Sequence, residues 1–343
     1  MTTAGPVYRK FFVVLLAAAM MPALAQEQQG QPAQDIKYTA EEYAAYDRAV
    51  KEPDLAKRED AIVGFVKANP QSSLVQYAEG AFLELLQEYQ KAGDIQRLAG
   101  AGEKFLALRP DHREVTFATG VAWYQLQQYQ NAVGHLEKVY AAQQDPAVAY
   151  QLAIAYGALK NNDKTLQFGE LACAKYEPKD CYQVLSIITR VLNEKKQWER
   201  GAANARKVIQ AFEVVQKPPS ASQAEWDEYV GRERAVAYST IGRRSFERQD
   251  WAGAVSNFQQ AMRSYSKAPG LTAEACYHIG LAYWRMGKMD LSMKAFARGS
   301  VQQGAPHAKP CRDQLEFLYK QDHNGVLDGL EEYLQRALNA KLW

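Results

Sequence analysis

The side chains with the widest chemical reach in this sequence are four cysteines and five histidines. The cysteines are Cys173, Cys181, Cys276 and Cys311; the histidines are His112, His135, His278, His307 and His323. No two cysteines form a C-x-x-C pair and no histidine clusters beside one, so the spacing of a structural zinc site is missing. Imidazole catalysis needs an acid, base or nucleophile within hydrogen-bond reach, and the spacing supplies none. Ser264-Tyr265-Ser266-Lys267 has the S-x-x-K spacing of an acyl-transfer serine, but its S-D-N and K-T-G companions are absent. Gly100-Ala101-Gly102 opens like a dinucleotide fingerprint, yet Phe105 stands where the third glycine belongs. Gly287-Lys288 has no Ser or Thr after it, as a phosphate loop requires. Asp322-His323-Asn324-Gly325 begins like a calcium loop, but Val326 and Tyr333 occupy oxygen-ligand positions. The expectation is a chain without catalytic, cofactor-binding or metal-binding residues: not an enzyme.

The elements that carry these residues follow from composition and pattern. Lys and Arg number 41 against 39 Asp and Glu in 343 residues. That balance argues against a dedicated nucleic-acid binder, which carries a basic patch. Arg9-Lys10, the apolar run Phe11–Met21, Pro22 and Ala23-Leu24-Ala25 read as a cleavable export signal over 1–25. The run is about half of the ~20 residues that span a bilayer. No cysteine follows it to take a lipid, and no second long apolar segment exists. An even cysteine count in an exported chain suggests disulfides, with three pairings open and free buried thiols as the alternative. Residues 26–38 are Gln-rich and nearly devoid of apolar groups, the composition of a disordered linker. From Tyr38 onward the apolar spacing is helical, without the alternating β-branched runs of strands.

The helical stretches repeat. Gly280, Tyr283, Ser292, Phe296 and Gly299 recur in spacing as Gly242, Ser245, Ala254, Phe258 and Ala261, and again as Gly120, Trp123, Ala132 and Leu136. Leu152-Ala153, Tyr156 and Ala172 form a further copy; Phe82, Leu85, Leu86, Tyr89 and Pro110 form a looser one. The anchors at 86, 120 and 153 stand 34 and 33 residues apart, and those at 242 and 280 stand 38 apart. This pattern resembles the tetratricopeptide (TPR) family, whose ~34-residue unit is a helix–turn–helix. The resemblance covers most of residues 39–310. It implies an all-α, TPR-type helix–turn–helix solenoid, with residues 181–213 as a degenerate unit and 39–70 as an N-terminal helical pair.

The resemblance also implies a domain plan: TPR-like repeats over 39–215, a hinge loop at 216–224 around Lys217-Pro218-Pro219, repeats over 225–308, and capping helices over 309–343. Pairs Cys173–Cys181 and Cys276–Cys311 would each join neighbouring helices. The family's concave groove is lined by the first helix of each unit, which maps here to Phe117, Val121, Tyr124, Tyr150 and Ile154. In the later block it maps to Arg243, Tyr277, Leu281, Trp284 and Arg285. Aromatic and Arg residues are common interface anchors, so the partner implied is an apolar or amphipathic protein segment. The Lys/Asn set with which the family clamps a C-terminal carboxylate is absent. The reading is a non-catalytic scaffold or adaptor of the bacterial envelope, periplasmic or else secreted, with no nucleic acid as partner. Its rival is an envelope enzyme subunit or small-ligand-binding helical protein with its chemistry in 181–235.

Overall fold

The computed structural model describes residues 38–339; the expected signal segment and residues 26–37 of the linker lie outside them. The described residues form two compact units, 38–172 and 173–339. Both are all-α, and no strand occurs among the described residues.

The first unit holds four helical hairpins. They are α1 (Ala40–Val50) with α2 (Leu55–Ala68), α3 (Val75–Ala92) with α4 (Ile95–Leu106), α5 (Arg113–Gln125) with α6 (Tyr129–Gln143), and α7 (Pro146–Ala158) with α8 (Asn162–Cys173). Local chemistry sets the boundaries. Thr39 and Glu42 cap α1 reciprocally, and the Asp54, Asp94 and Asp145 side chains accept from the first-turn N–H groups of α2, α4 and α7. Such caps contribute about 1 kcal/mol each. Gly93 ends α3 at φ 74°, a left-handed stop natural to glycine.

The second unit holds four more hairpins. They are α9 (Tyr182–Glu194) with α10 (Trp198–Val214), α11 (Gln223–Glu247) with α12 (Trp251–Ser264), α13 (Pro269–Arg285) with α14 (Met289–Ser300), and α15 (Ala308–Asp322) with α16 (Leu330–Asn339). The stretch expected as a hinge, 216–224, lies inside this unit. Lys217 Nζ donates to the Ala221 carbonyl at 2.7 Å, Ala221 is buried, and α11 starts at a Ser222–Glu225 capping box. The two units divide at 172/173.

Three hairpins, α5–α6, α11–α12 and α13–α14, close where a small residue meets a large one. A Cβ on Gly280 would lie 2.6 Å from Phe296 Cε1, one on Gly242 3.0 Å from the Phe258 ring, and one on Gly120 3.2 Å from Leu136 Cδ2. Ser292 Oγ donates to the Gly280 carbonyl at 2.8 Å, pinning α14 to α13 at the closest approach. In the second hairpin the sizes are exchanged: Leu86 holds the small position and Gly102 the large one.

Buried polar groups are tied into this packing. Glu59 of α2, 1% exposed, accepts from Tyr89 of α3 at 3.0 Å and from Lys104 and Arg97 of α4 at 2.6 and 3.4 Å. One carboxylate thus joins three helices.

The expected C-terminal cap is present as α15 and α16. Leu315, Leu318, Tyr319, Leu330, Leu334 and Ala337 form one core with Phe296 of α14, and Tyr277, Leu281 and Trp284 of α13 pack against it.

The cysteines divide. Cys173 and Cys181 form a disulfide across the α8–α9 connection. The expected Cys276–Cys311 bond is not made: both thiols are free and buried. Gly299 stands between them, where a Cβ would lie 2.3 Å from Cys311 Sγ and 3.0 Å from Cys276 Cβ. The sulfurs turn to different neighbours, Cys276 Sγ to Met262 Sδ at 4.0 Å and Cys311 Sγ to the Ala273 carbonyl at 3.7 Å. Burial pushes both thiols up, Cys276 to about 12.

Candidate partner-binding site

The motifs set aside in the sequence have structural roles. Ser264 ends α12 with its hydroxyl bonded to the Gln260 carbonyl at 2.8 Å. Asn324 and Gly325 take positive φ in the turn after α15, and His323 stacks on Tyr319 at 3.8 Å. His135 Nε2 lies 2.8 Å from Glu103 Oε1, which also accepts from Trp123 Nε1 at 2.8 Å. Among the described residues no three His, Cys, Asp or Glu side chains are placed to hold a metal ion.

His278 is a buried, neutral imidazole. It is 7% exposed, stacks on Phe258 at 5.1 Å and meets Phe246 edge-on at 5.1 Å. Neither ring nitrogen has a hydrogen-bond partner. Burial, then Arg243 and His307 nearby, lowers its pKa to about 2, so the ring is neutral in the folded chain.

The residues expected to line a groove differ in what they offer. On α5 and α7, Phe117, Val121 and Tyr150 are half-buried, while Tyr124 and Ile154 are 8% and 4% exposed. Tyr124 meets Tyr129 edge-on at 5.7 Å. Burial, with Tyr150 and Tyr129 close by, pushes its hydroxyl well above the usual range. In the second unit Arg243 is engaged: its Nε donates to Glu274 at 3.0 Å and its guanidinium lies 5.5 Å from the Trp198 ring centroid. Tyr277, Leu281 and Trp284 are half-covered by the core that α15 and α16 build. Arg285 is exposed and lies over Trp284 at 5.1 Å.

Phe117 alone of this set lines a large concavity. The cavity measures about 550 Å³ and is bounded by the start of α5, the end of α6 and the start of α7. That volume falls in the range of ligand and peptide-anchor sites, ~300–1,000 Å³. Phe117, Val139 and Val148 give it an apolar wall; Asp111, Arg113, Glu114, Lys138 and Asp145 ring it with both signs of charge. Asp145 is committed to capping α7 at 2.7 Å, and Glu114 lies 3.2 Å from His112 Nδ1. Arg113 and Lys138 extend into solvent. Sequence offsets along one helix face reach Phe117 but miss Val139 and Val148, because the site is built from the ends of three helices.

No protein-family model matches the chain, and no curated protein matches it. Among solved structures it is similar to YrrB, a TPR protein with an unusual peptide-binding site, at 12% identity over 61% of this chain and 94% of that one, TM-score 0.42. PilF of Pseudomonas aeruginosa matches at 12% identity over 70% and 98%, TM-score 0.40. Yeast Tom70 matches at 11% over 88% and 61%, TM-score 0.38. At such values nothing about a partner or a site passes from those proteins to this one. The stronger ground is internal: helical hairpins in series, with Gly120, Gly242 and Gly280 each seated on a large residue sixteen positions on. By that packing the chain has the tetratricopeptide-type helix–turn–helix repeat fold.

Proposed function

We propose that the protein is a non-catalytic scaffold of the bacterial cell envelope that seats an apolar or amphipathic segment of a partner protein in the Phe117 cavity. The observation that carries this reading is the cavity itself, an apolar wall of Phe117, Val139 and Val148 ringed by charged side chains. An apolar anchor flanked by polar contacts is the usual energetic plan of a peptide site. Location in the envelope is supported by the export-type N-terminal sequence and by the Cys173–Cys181 disulfide, a bond that persists in oxidising compartments. No described helix is long and apolar enough to cross a membrane.

The test is site-specific photocrosslinking in cells. A crosslinker at Lys138, on the cavity rim, is compared with one at exposed Lys207 on α10. The expected result is one envelope protein captured at 138, absent at 207, and lost when Phe117→Asp places a charge on the apolar wall. Equal capture at both positions, or capture that survives Phe117→Asp, refutes the cavity as the site.

A further inference from the structure

The first two hairpins carry tyrosines that the fold leaves uncovered. Tyr38, Tyr43 and Tyr77 are 43%, 48% and 46% exposed, and the Tyr38 and Tyr43 rings stack at 5.7 Å. Tyr46 stands one turn on from Tyr43 along α1, half-buried, and meets Phe65 edge-on at 5.9 Å. On α3, Tyr77, Gly80, Ala81 and Glu84 share one face at spacings of three, four and seven residues. The two faces come together at Tyr46. Its hydroxyl is pushed up by burial first, then by Glu84, Tyr43, Asp47 and Tyr77, so rings and carboxylates of both helices lie within electrostatic reach of one point.

Gly80 keeps this surface open. A glycine inside a helix costs stability relative to alanine. At Gly120, Gly242 and Gly280 a large side chain of the next helix fills the space, but a Cβ on Gly80 would meet nothing within 4 Å. The charge there is also one-sided. Glu42, Asp47 and Glu84 stand against Lys51, which pairs with Asp47 at 2.7 Å. Glu42 is engaged with Thr39 and Ser72. Glu84 is exposed, with no hydrogen bond or ion pair among the described residues. A tyrosine ring presents a negative face, so what the surface lacks is a cation.

Guanidinium suits it best, since the group is planar, stacks on aromatic rings and still donates to a carboxylate. Tyr77 and Glu84 stand about 10 Å apart along the helix axis, a span that about three residues of extended chain cover. We propose that this face of α1 and α3 docks an extended, arginine-bearing segment of a partner protein, with one guanidinium over the exposed tyrosine rings and a second at Glu84. The segment's backbone passes over Gly80 and Ala81. This site is separate from the Phe117 cavity and stands or falls without it.

Isothermal titration of residues 26–343 tests the proposal, with a GRGRG pentapeptide capped at both ends as the probe. GEGEG and GPGPG counterparts report an acidic and an uncharged segment. Saturable binding of GRGRG is expected, with both counterparts weaker by ~10-fold or more. A Tyr43→Ala/Tyr77→Ala variant should weaken GRGRG by ~10-fold, and Glu84→Gln by ~3-fold. Gly80→Leu, which places a side chain in the open space, should abolish binding. All four positions are exposed, so these variants keep the fold, as circular dichroism will show. Phe117→Asp should leave GRGRG binding unchanged. No saturable binding at about 1 mM overturns the proposal. So does a counterpart peptide that binds as tightly, or affinity unchanged in Tyr43→Ala/Tyr77→Ala or in Gly80→Leu. A dimer in sedimentation that Gly80→Leu dissolves would also overturn it, by giving the face to a second copy of the chain.

Discussion

Replacing Gly280 with alanine puts a methyl group in place of a hydrogen where α13 meets Phe296 of α14. The new Cβ would stand 2.6, 2.7 and 2.8 Å from Cε1, Cζ and Cδ1 of Phe296. Carbon atoms settle at about 3.5–4.0 Å, so the ring must retreat by roughly 1 Å. Phe296 is fully buried against Leu315, Cys311 and Met293, and the Ser292 hydroxyl bonded to the Gly280 carbonyl must move with it. Overpacking of this kind costs ~1–3 kcal/mol, whereas alanine in place of glycine within a helix returns ~1 kcal/mol. The expected net loss for Gly280→Ala is about 1 kcal/mol, rising to about 3 kcal/mol for Gly280→Leu. Phe296→Leu alone should cost ~1–2 kcal/mol by leaving a cavity, yet it makes room for the new Cβ. The double variant should therefore lose less than the sum of the singles by about 1 kcal/mol. Urea unfolding followed by circular dichroism gives the four stabilities, and hydrogen exchange of the α13 and α14 amides shows whether the loss is local. An alanine variant at least as stable as the wild type, or a strictly additive cycle, would refute the assignment of Gly280 and Phe296 as the closing pair.

Three further outcomes follow from buried or cross-linked groups. His278 is neutral in the fold, with its pKa lowered from 6.5 to about 2, so below pH ~6.5 the unfolded chain binds a proton that the folded chain refuses. Stability should fall on acidification by up to ~1.4 kcal/mol per pH unit from this group, and His278→Phe should flatten that slope between pH 4 and 6.5, as judged by urea midpoints; parallel slopes would contradict it. Reducing Cys173–Cys181, which closes a loop of sequence separation 8, should lower stability by ~2 kcal/mol, and a Cys173→Ser/Cys181→Ser variant should show no response to reductant. Glu59→Leu removes the carboxylate shared by Tyr89, Lys104 and Arg97, while the Tyr89 hydroxyl keeps the Leu55 carbonyl at 3.1 Å, for an expected loss of ~1 kcal/mol in thermal unfolding; a loss under a few tenths would show the network to be dispensable.

The packing rule of the fold was legible because it acts through residue size at fixed spacing. Close approach of two helices needs a small residue at one contact and a filler at the other, and Gly120, Gly242 and Gly280 with Leu136, Phe258 and Phe296 meet that need visibly. The surface was less legible. Helix-face offsets selected Tyr124 and Ile154, but neighbouring helices cover both; they selected Leu281 and Trp284, which the C-terminal helices partly cover. The Phe117 cavity is assembled from three helix ends, an arrangement that leaves no period in the sequence. The Cys276–Cys311 pairing joined the right helices, but the bond also depends on where the sulfurs point, and that is decided by Met262, Ala273 and Gly299.

The cover that α15 and α16 place over α13 sets an order of events during synthesis. A chain is made from its N-terminus, and each earlier hairpin finds its neighbour soon after it emerges. Leu281 and Trp284 wait for residues 308–339. Throughout that interval an apolar face is on offer to other nascent chains, to chaperones and to proteases. The outward residues of the last helices, Lys320, Asp322, Glu331 and Glu332, are charged and exposed, so the face vanishes at once when they dock. A nick within residues 308–339 that frees α15 and α16 would leave Leu281 and Trp284 uncovered, an apolar face for quality control to read.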